Sequence, residues 1–118
     1  MGQGFKQLTA WQKGYELVLA LYKATKTFPR EETYGLALQL QRAAVSVPAN
    51  IAEGYDRNHR KEYVQFLYIA KGSLSEVETY LLLARDLGYL TTDTYEDLYT
   101  KRAEVARLLQ GLISSLAP

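Results

Sequence analysis

Apolar residues recur at spacings of three and four along most of this 118-residue chain, and runs that alternate with period two are few. That pattern belongs to α-helices that bury one face. Four segments carry it. The first runs from about residue 9, with Thr9 as its N-cap, to about residue 27. In it Trp11, Tyr15, Val18 and Tyr22 step by four, three and four and share a face. Leu17, Leu21, Ala24 and Phe28 lie beside them, so the apolar arc covers about half the circumference at ~100° per residue. Gln12, Glu16, Lys23 and Lys26 occupy the other half.

Pro29 ends this helix, and the next is predicted to begin near Thr33. Its apolar positions Leu36, Leu40, Ala43, Ala44, Val47 and Ile51 keep helical spacing across Pro48. A proline inside a helix removes a backbone hydrogen bond and clashes with the carbonyl four residues back. Two arrangements compete, a kinked continuous helix and a break between two short ones, and the surviving periodicity favours the kink. Gly54 then reads as the C-cap, before a polar turn at 56–59.

The third helix, from about 58 to 87, is the longest. Tyr63, Leu67, Ala70, Leu74, Val77, Leu81 and Ala84 form one line, and Phe66, Ile69, Ser73, Tyr80, Leu83 and Leu87 follow an adjacent face. Gly88 is the expected C-cap, with Tyr89 and Leu90 folding back on the last turn. Asp93 and Glu96 make an acidic variant of the capping box that would open the fourth helix. Tyr95, Leu98, Arg102, Val105, Leu109, Leu112 and Leu116 complete it. Short loops between long helices give an antiparallel up-down four-helix bundle, all-α, in a single domain over 1–118 with residues 1–8 as a flexible N-terminal segment.

Composition narrows the function classes. With 47% hydrophobic and 23% charged residues the chain is an ordinary globular one. It has no cysteine, which excludes disulfides, thiolate catalysis and cysteine-held metal centres. Fourteen Lys and Arg against thirteen Asp and Glu leave +1, too little for a monomer that binds nucleic acid by bulk charge. No apolar stretch approaches the ~20 residues that span a bilayer. No apolar leader stands at the N-terminus, and Lys6 occupies the position where a myristoylation signal carries Ser or Thr. The expected location is the cytoplasm, with no membrane partner. A surface helix normally shows one apolar stripe, whereas the second and third helices here show two. With ten tyrosines added, that surplus favours a partner surface and a homo-oligomer over the alternative, in which wide arcs fill the core of a thick bundle.

The segment QRAAVSVPANIAEGYDR at 41–57, followed by EYVQFLYIAKGSLSEVETYLLLARDLGYL at 62–90, resembles one family: the bacterial four-helix-bundle proteins encoded by intervening sequences inside 23S ribosomal RNA genes. WQKGYELV from Trp11, the pair Phe28-Pro29 and Tyr34-Gly35-Leu36 fit it as well. The resemblance implies an up-down four-helix bundle assembled into a ring, typically a homopentamer. It also implies a distant link to the accessory proteins of diversity-generating retroelements, which share the bundle and bind a reverse transcriptase and nucleic acid.

The motif residues have a reading of their own. Arg42, Ser46, Asn50 and Glu53 step by four, four and three and form a polar stripe on an apolar helix. Buried polar groups have to be paired, so the stripe is either a ligand site or a polar network at a helix or subunit contact. The network is favoured, with the Ser46 hydroxyl bonding a carbonyl freed by Pro48. Gly72, in the middle of the third helix, fits close helix approach better than a phosphate loop, because no strand or P-loop pattern precedes it. Pro48, Gly54 and Gly72 thus join the stripe as architecture.

Catalysis and cofactors are not expected. His59 with Asp56 echoes a carboxylate-x-x-His ligand pair, but only one such pair exists and it lies in a polar turn. Glu76 and Glu78, two apart, point to different faces. No nucleophile elbow is present. The best candidates for nucleic-acid contact are Arg57, Arg60 and Lys61, bracketed by Asp56 and Glu62, with Lys13, Lys23, Lys26 and Arg30 from the first helix and its end. The expected function is therefore a non-catalytic accessory or scaffold protein that contacts RNA or DNA phosphates. The alternative is a purely structural or protein-interaction module. A ring would repeat each patch around its axis, so that several engage one strand together.

Overall fold

The structure, a computed structural model, describes residues 4–117. Four helices follow one another, α1 (Thr9–Thr25), α2 (Leu36–Tyr55), α3 (Arg60–Asp86) and α4 (Thr92–Ser115), with no strand among the described residues. Contacts join α1 to α2, α2 to α3, α3 to α4 and α4 to α1, with none across either diagonal, so the helices stand at the corners of a square. Gln7, ahead of α1, donates to the Tyr55 hydroxyl at the end of α2 (3.3 Å). Glu32, ahead of α2, accepts from Tyr89, after α3. Neighbouring helices therefore run in opposite directions, in a body of 44 × 25 × 23 Å.

The core lies along the axis. Leu17, Leu21, Leu40, Val47, Ile51, Leu67, Val77, Leu81 and Val105 are wholly buried. On α3 the first apolar line faces inward as its spacing predicts. On α1 the aromatic line stays near the surface: Tyr15 and Tyr22 are about half exposed, and the buried face is Ala10, Gly14, Leu17, Leu21 and Ala24. Leu17 and Leu21 supply the bulk of that face, and at Gly14 the helix lies against α2. A Cβ on Gly14 would stand 3.6 Å from Val47 and 3.7 Å from the Pro48 ring.

Several boundaries differ from the sequence expectations. Residues 4–7 of the segment expected to be flexible form a 3-10 turn, while residues 1–3 lie outside the described residues. Thr9 is the first helical residue of α1, and the N-cap is Leu8, which makes no side-chain cap; the Gln12 amide instead ties the helix to the Lys6 carbonyl (2.8 Å). α1 stops at Thr25, where the hydroxyls of Thr25 and Thr27 bond the carbonyls of Tyr22 and Ala24. α2 is continuous through Pro48 but begins at Leu36, after a 3-10 turn at Arg30–Glu32. Gly54 is not a C-cap. It is buried inside α2, which ends one residue later and is capped by Asp56. The cap of α4 is Thr91, whose hydroxyl accepts from the Thr94 amide (3.2 Å), in place of Asp93 with Glu96. Gly88 is the expected terminator, with φ +79° and the Tyr89 amide bonding the Ala84 carbonyl (2.9 Å).

The start of α2 is held by a clasp that sequence pattern did not reveal. One Glu32 carboxylate oxygen accepts from the Leu36 amide (3.0 Å), the other from the Tyr89 hydroxyl (2.9 Å). The clasp joins the α1–α2 connection to the α3–α4 turn. The backbone and phenol hydrogen bonds hold the Glu32 carboxyl below its usual value of 4.5. A lowered carboxylate pKa contributes stability above the unfolded-state value and loses it as pH falls through the folded one. Stability should thus decline from about pH 4.5 downward. Denaturant midpoints measured from pH 6 to pH 3 should fall less steeply for Glu32→Gln than for the parent chain, and parallel curves would show that the clasp carries no such linkage.

Candidate nucleic-acid interface

The polar stripe on α2 is built into the α2–α3 contact. Ser73, buried on α3, donates to the Ser46 hydroxyl (2.8 Å), and the Asn50 amide donates to both the hydroxyl and the carbonyl of Ser46 (2.9 and 2.8 Å). The Ser46 hydroxyl is thus engaged by Asn50 and Ser73 and, contrary to expectation, does not bond the Ala44 carbonyl, which Pro48 leaves without its usual partner among the described residues. Arg42 is exposed, and Glu53 turns to Arg57. Gly72 offers a further correction, since among the described residues nothing beyond its own helix turn lies within 4 Å of where its Cβ would stand. Close approach belongs instead to Gly54, against Tyr63 and Phe66 of α3.

The seven candidate cations separate into two groups. Arg57, Arg60, Lys61 and Lys13 lie toward the end that holds the α2–α3 turn and the start of α1. Lys23, Lys26 and Arg30 lie toward the other, where α1 finishes after 17 residues, a helix roughly 25 Å long at 1.5 Å per residue. Arg57 is the least available. It pairs with Glu53 (3.0 Å) and Glu62 (3.5 Å) and stacks over the Phe66 ring at 5.1 Å, which makes it a strap across the turn. Lys13 pairs with Glu16 at 3.5 Å. Arg60 and Lys61 are exposed, make no ion pair among the described residues, and occupy the first two positions of α3. A helix N-terminus repels cations, so folding alone gives no reason for two of them there.

The second surface is apolar. Ile69 and Leu83 on α3 and Leu87 at its C-cap are about half exposed, and Gly72 lies on the same face by helical register; Val45 on α2 is exposed as well. Phe66 and Tyr80, from the same α3 line, are partly buried, and Ser73 is buried. The line expected to face a partner is therefore open at Ile69, Leu83 and Leu87 and closed at Ser73.

Arg102 is a residue whose role sequence reasoning missed, although its place in an apolar register was a signal. Its guanidinium crosses from α4 to the Leu74 carbonyl (3.2 Å) and Glu78 (3.3 Å), leaving Nε buried without a partner. No described group of three or more His, Asp or Glu side chains is arranged to hold a metal ion, and no described helix is long and apolar enough to cross a membrane.

The family model of the 23S rRNA-intervening sequence protein matches residues 6–111. The chain belongs to that family. Its fold is shared with a protein of unknown function from the S23 ribosomal protein family of Bacteroides thetaiotaomicron, whose crystal structure superposes with a TM-score of 0.80 at 25% identity, over 89% of this chain and 98% of that one. No curated protein matches the chain. The 23S rRNA-intervening sequence family thus accounts for the α2–α3 segment, with its SVPANIAEG run, and for the four-helix bundle.

Proposed function

We propose that this intervening-sequence protein is a non-catalytic bundle that self-associates into a ring, on the pentameric pattern implied by the family resemblance, and contacts nucleic-acid phosphates as an assembly. The observation that carries the reading is the open line Ile69, Leu83 and Leu87, apolar surface that a solitary bundle leaves in water. Burying a leucine side chain is worth about 1.5–3 kcal/mol, and association would recover part of that at each contact. Arg60 and Lys61 supply the charge, repeated once per subunit. A reverse transcriptase is the protein partner the resemblance implies, and co-purification with the enzyme would test it. The double pairing of Arg57 favours a second reading, in which the ring serves protein contacts alone.

Light scattering at micromolar concentration should give a mass several times 13.4 kDa. Leu83→Glu should reduce it to that of the folded monomer, because Leu83 is 46% exposed and lies outside the core. A parent chain that scatters as a monomer overturns self-association. In a gel shift, affinity should fall by about 0.7–0.9 log units per log unit of salt for each phosphate contact, with a flatter slope for Arg60→Ala/Lys61→Ala. No shift of single-stranded RNA or of either form of DNA at low salt would leave the protein-contact reading.

A further inference from the structure

Two clefts open at the end of the bundle where α1 finishes. The larger, about 790 Å³, holds Lys23 and Lys101 but also Asp93 and Asp97, and Lys101 is paired with Asp97 at 3.0 Å. Its charges cancel. The smaller, about 490 Å³, lies between the end of α1, the 3-10 turn and the first half of α2, and its chemistry is one-sided. Lys26 and Arg30 line it, and no acidic residue does. Glu31 and Glu32, the nearest acids in sequence, are not part of its lining: Glu32 binds Tyr89, and the charges of both help to raise that phenol after the hydrogen bond itself and its desolvation.

The remaining lining is suited to a flat heterocycle. Tyr22, 44% exposed as a residue, lines the cleft. Thr25 is 93% buried; its hydroxyl donates to the Tyr22 carbonyl (3.1 Å) and accepts from the Gln41 amide (2.9 Å), which fixes Gln41 at the wall. Gln41 spends one N–H on Thr25 and retains a second N–H beside its carbonyl oxygen, a donor–acceptor pair that matches the edge of a base. Lysine provides a point charge and arginine a planar fork, the two groups that bind phosphate. The volume falls within the range of about 300–1,000 Å³ typical of small-molecule sites.

We propose that this cleft is a nucleotide pocket, taking a nucleoside 5′-monophosphate or the same unit at the 5′ end of a single strand. Lys26 and Arg30 hold the phosphate, Tyr22 stacks on the base, and Gln41, braced by Thr25, hydrogen-bonds its edge. The proposal deepens the nucleic-acid reading by giving the α1-end cations a ligand, and it is separable from it, because a mononucleotide can bind here whether or not a strand binds elsewhere.

The test is a titration of the full chain with adenosine 5′-monophosphate, followed by amide chemical shifts, with adenosine and inorganic phosphate as partial ligands. Shifts should concentrate at Tyr22, Lys26, Arg30 and Gln41, and the whole nucleotide should bind roughly tenfold or more tighter than either part. Lys26→Ala/Arg30→Ala should lose phosphate and nucleotide binding with an unchanged melting temperature, since both residues are exposed. Tyr22→Leu should weaken nucleotide and adenosine but spare phosphate. An octanucleotide with a 5′-phosphate should reproduce these shifts, and its unphosphorylated twin should not, if the strand end is the ligand; AMP binding alone would assign the pocket to the free nucleotide. No AMP binding at millimolar concentration, shifts elsewhere on the bundle, or unaltered binding in the double variant would overturn the pocket. A strand that shifts in the gel while AMP fails refutes the pocket and leaves the nucleic-acid reading standing. AMP bound in the cleft with no strand shift does the reverse.

Discussion

Replacing Leu81 with alanine is expected to lower the free energy of unfolding by about 2–5 kcal/mol. Leu81 is wholly buried and lies on the inward line of α3, among the core residues that all four helices contribute. The truncation removes three carbons from water-free surroundings and leaves a void that rigid helices only partly close. For a domain of this size that corresponds to a fall in melting temperature on the order of 10 °C. Leu83, two positions along the same helix, is the internal comparison. At 46% exposure it contributes little to the solitary bundle, so Leu83→Ala should alter stability by less than about 1 kcal/mol in a monomeric sample. Thermal melts of the two variants decide the matter. Equal losses would mean that the outer line is core, and that the surface proposed for self-association is not there.

The second large effect is expected at Gly54, where the sign is informative. In an exposed helix interior, alanine in place of glycine gains about 1 kcal/mol. Here the new methyl would stand 2.8 Å from the Phe66 Cβ, 3.0 Å from the Tyr63 ring and 3.1 Å from the Tyr63 carbonyl oxygen. The Phe66 Cβ and the carbonyl move only with the backbone of α3, so the helices must separate where they now cross. Overpacking of this kind costs about 1–3 kcal/mol, and Gly54→Ala should come out destabilised. Gly72→Ala is the control. Among the described residues nothing beyond its own helix turn lies within 4 Å of that Cβ, so the monomer should gain roughly 0.5–1 kcal/mol. A loss of assembly in the same variant would place Gly72 at a subunit contact, which is where the sequence expectation of close helix approach would then apply. If Gly54→Ala stabilised the protein, the close α2–α3 crossing described here would be wrong.

Much of this architecture is legible in the residues alone. Spacings of three and four define four helices, Gly88 ends the third, and the inward line of α3 is buried from Leu67 to Ala84, with Tyr63 partly buried and Ser73 of the adjacent line joining it, because a long helix with one greasy face has a single way to bury it. The family was legible too, since the resemblance rests on the SVPANIAEG run and the family model matches residues 6–111. The roles within that run, however, were only half readable. A polar stripe at helical spacing says that serine and asparagine share a face; that Ser46 meets Ser73 depends on how α3 is rotated against α2. Gly54 next to a polar turn reads as a cap by local rules, and only the approach of Phe66 makes it a packing residue.

The candidate surfaces divide the same way. Sequence names the cations, but adjacency in the chain is not adjacency in the bundle. The fold commits Arg57 to Glu53 and Glu62, sends Lys26 and Arg30 to the opposite end from Arg60 and Lys61, and sets Tyr22 and Gln41 beside them in one cleft. Local periodicity determined which residues are helical and which face is apolar, since both follow from the geometry of a single helix. The clasp of Glu32 on Tyr89, 57 positions away, the reach of Arg102 to the Leu74 carbonyl and the cleft at the end of α1 were decided by tertiary structure. They join side chains from different helices, and the relative rotation and closeness of those helices are properties of the packed bundle that no segment carries by itself.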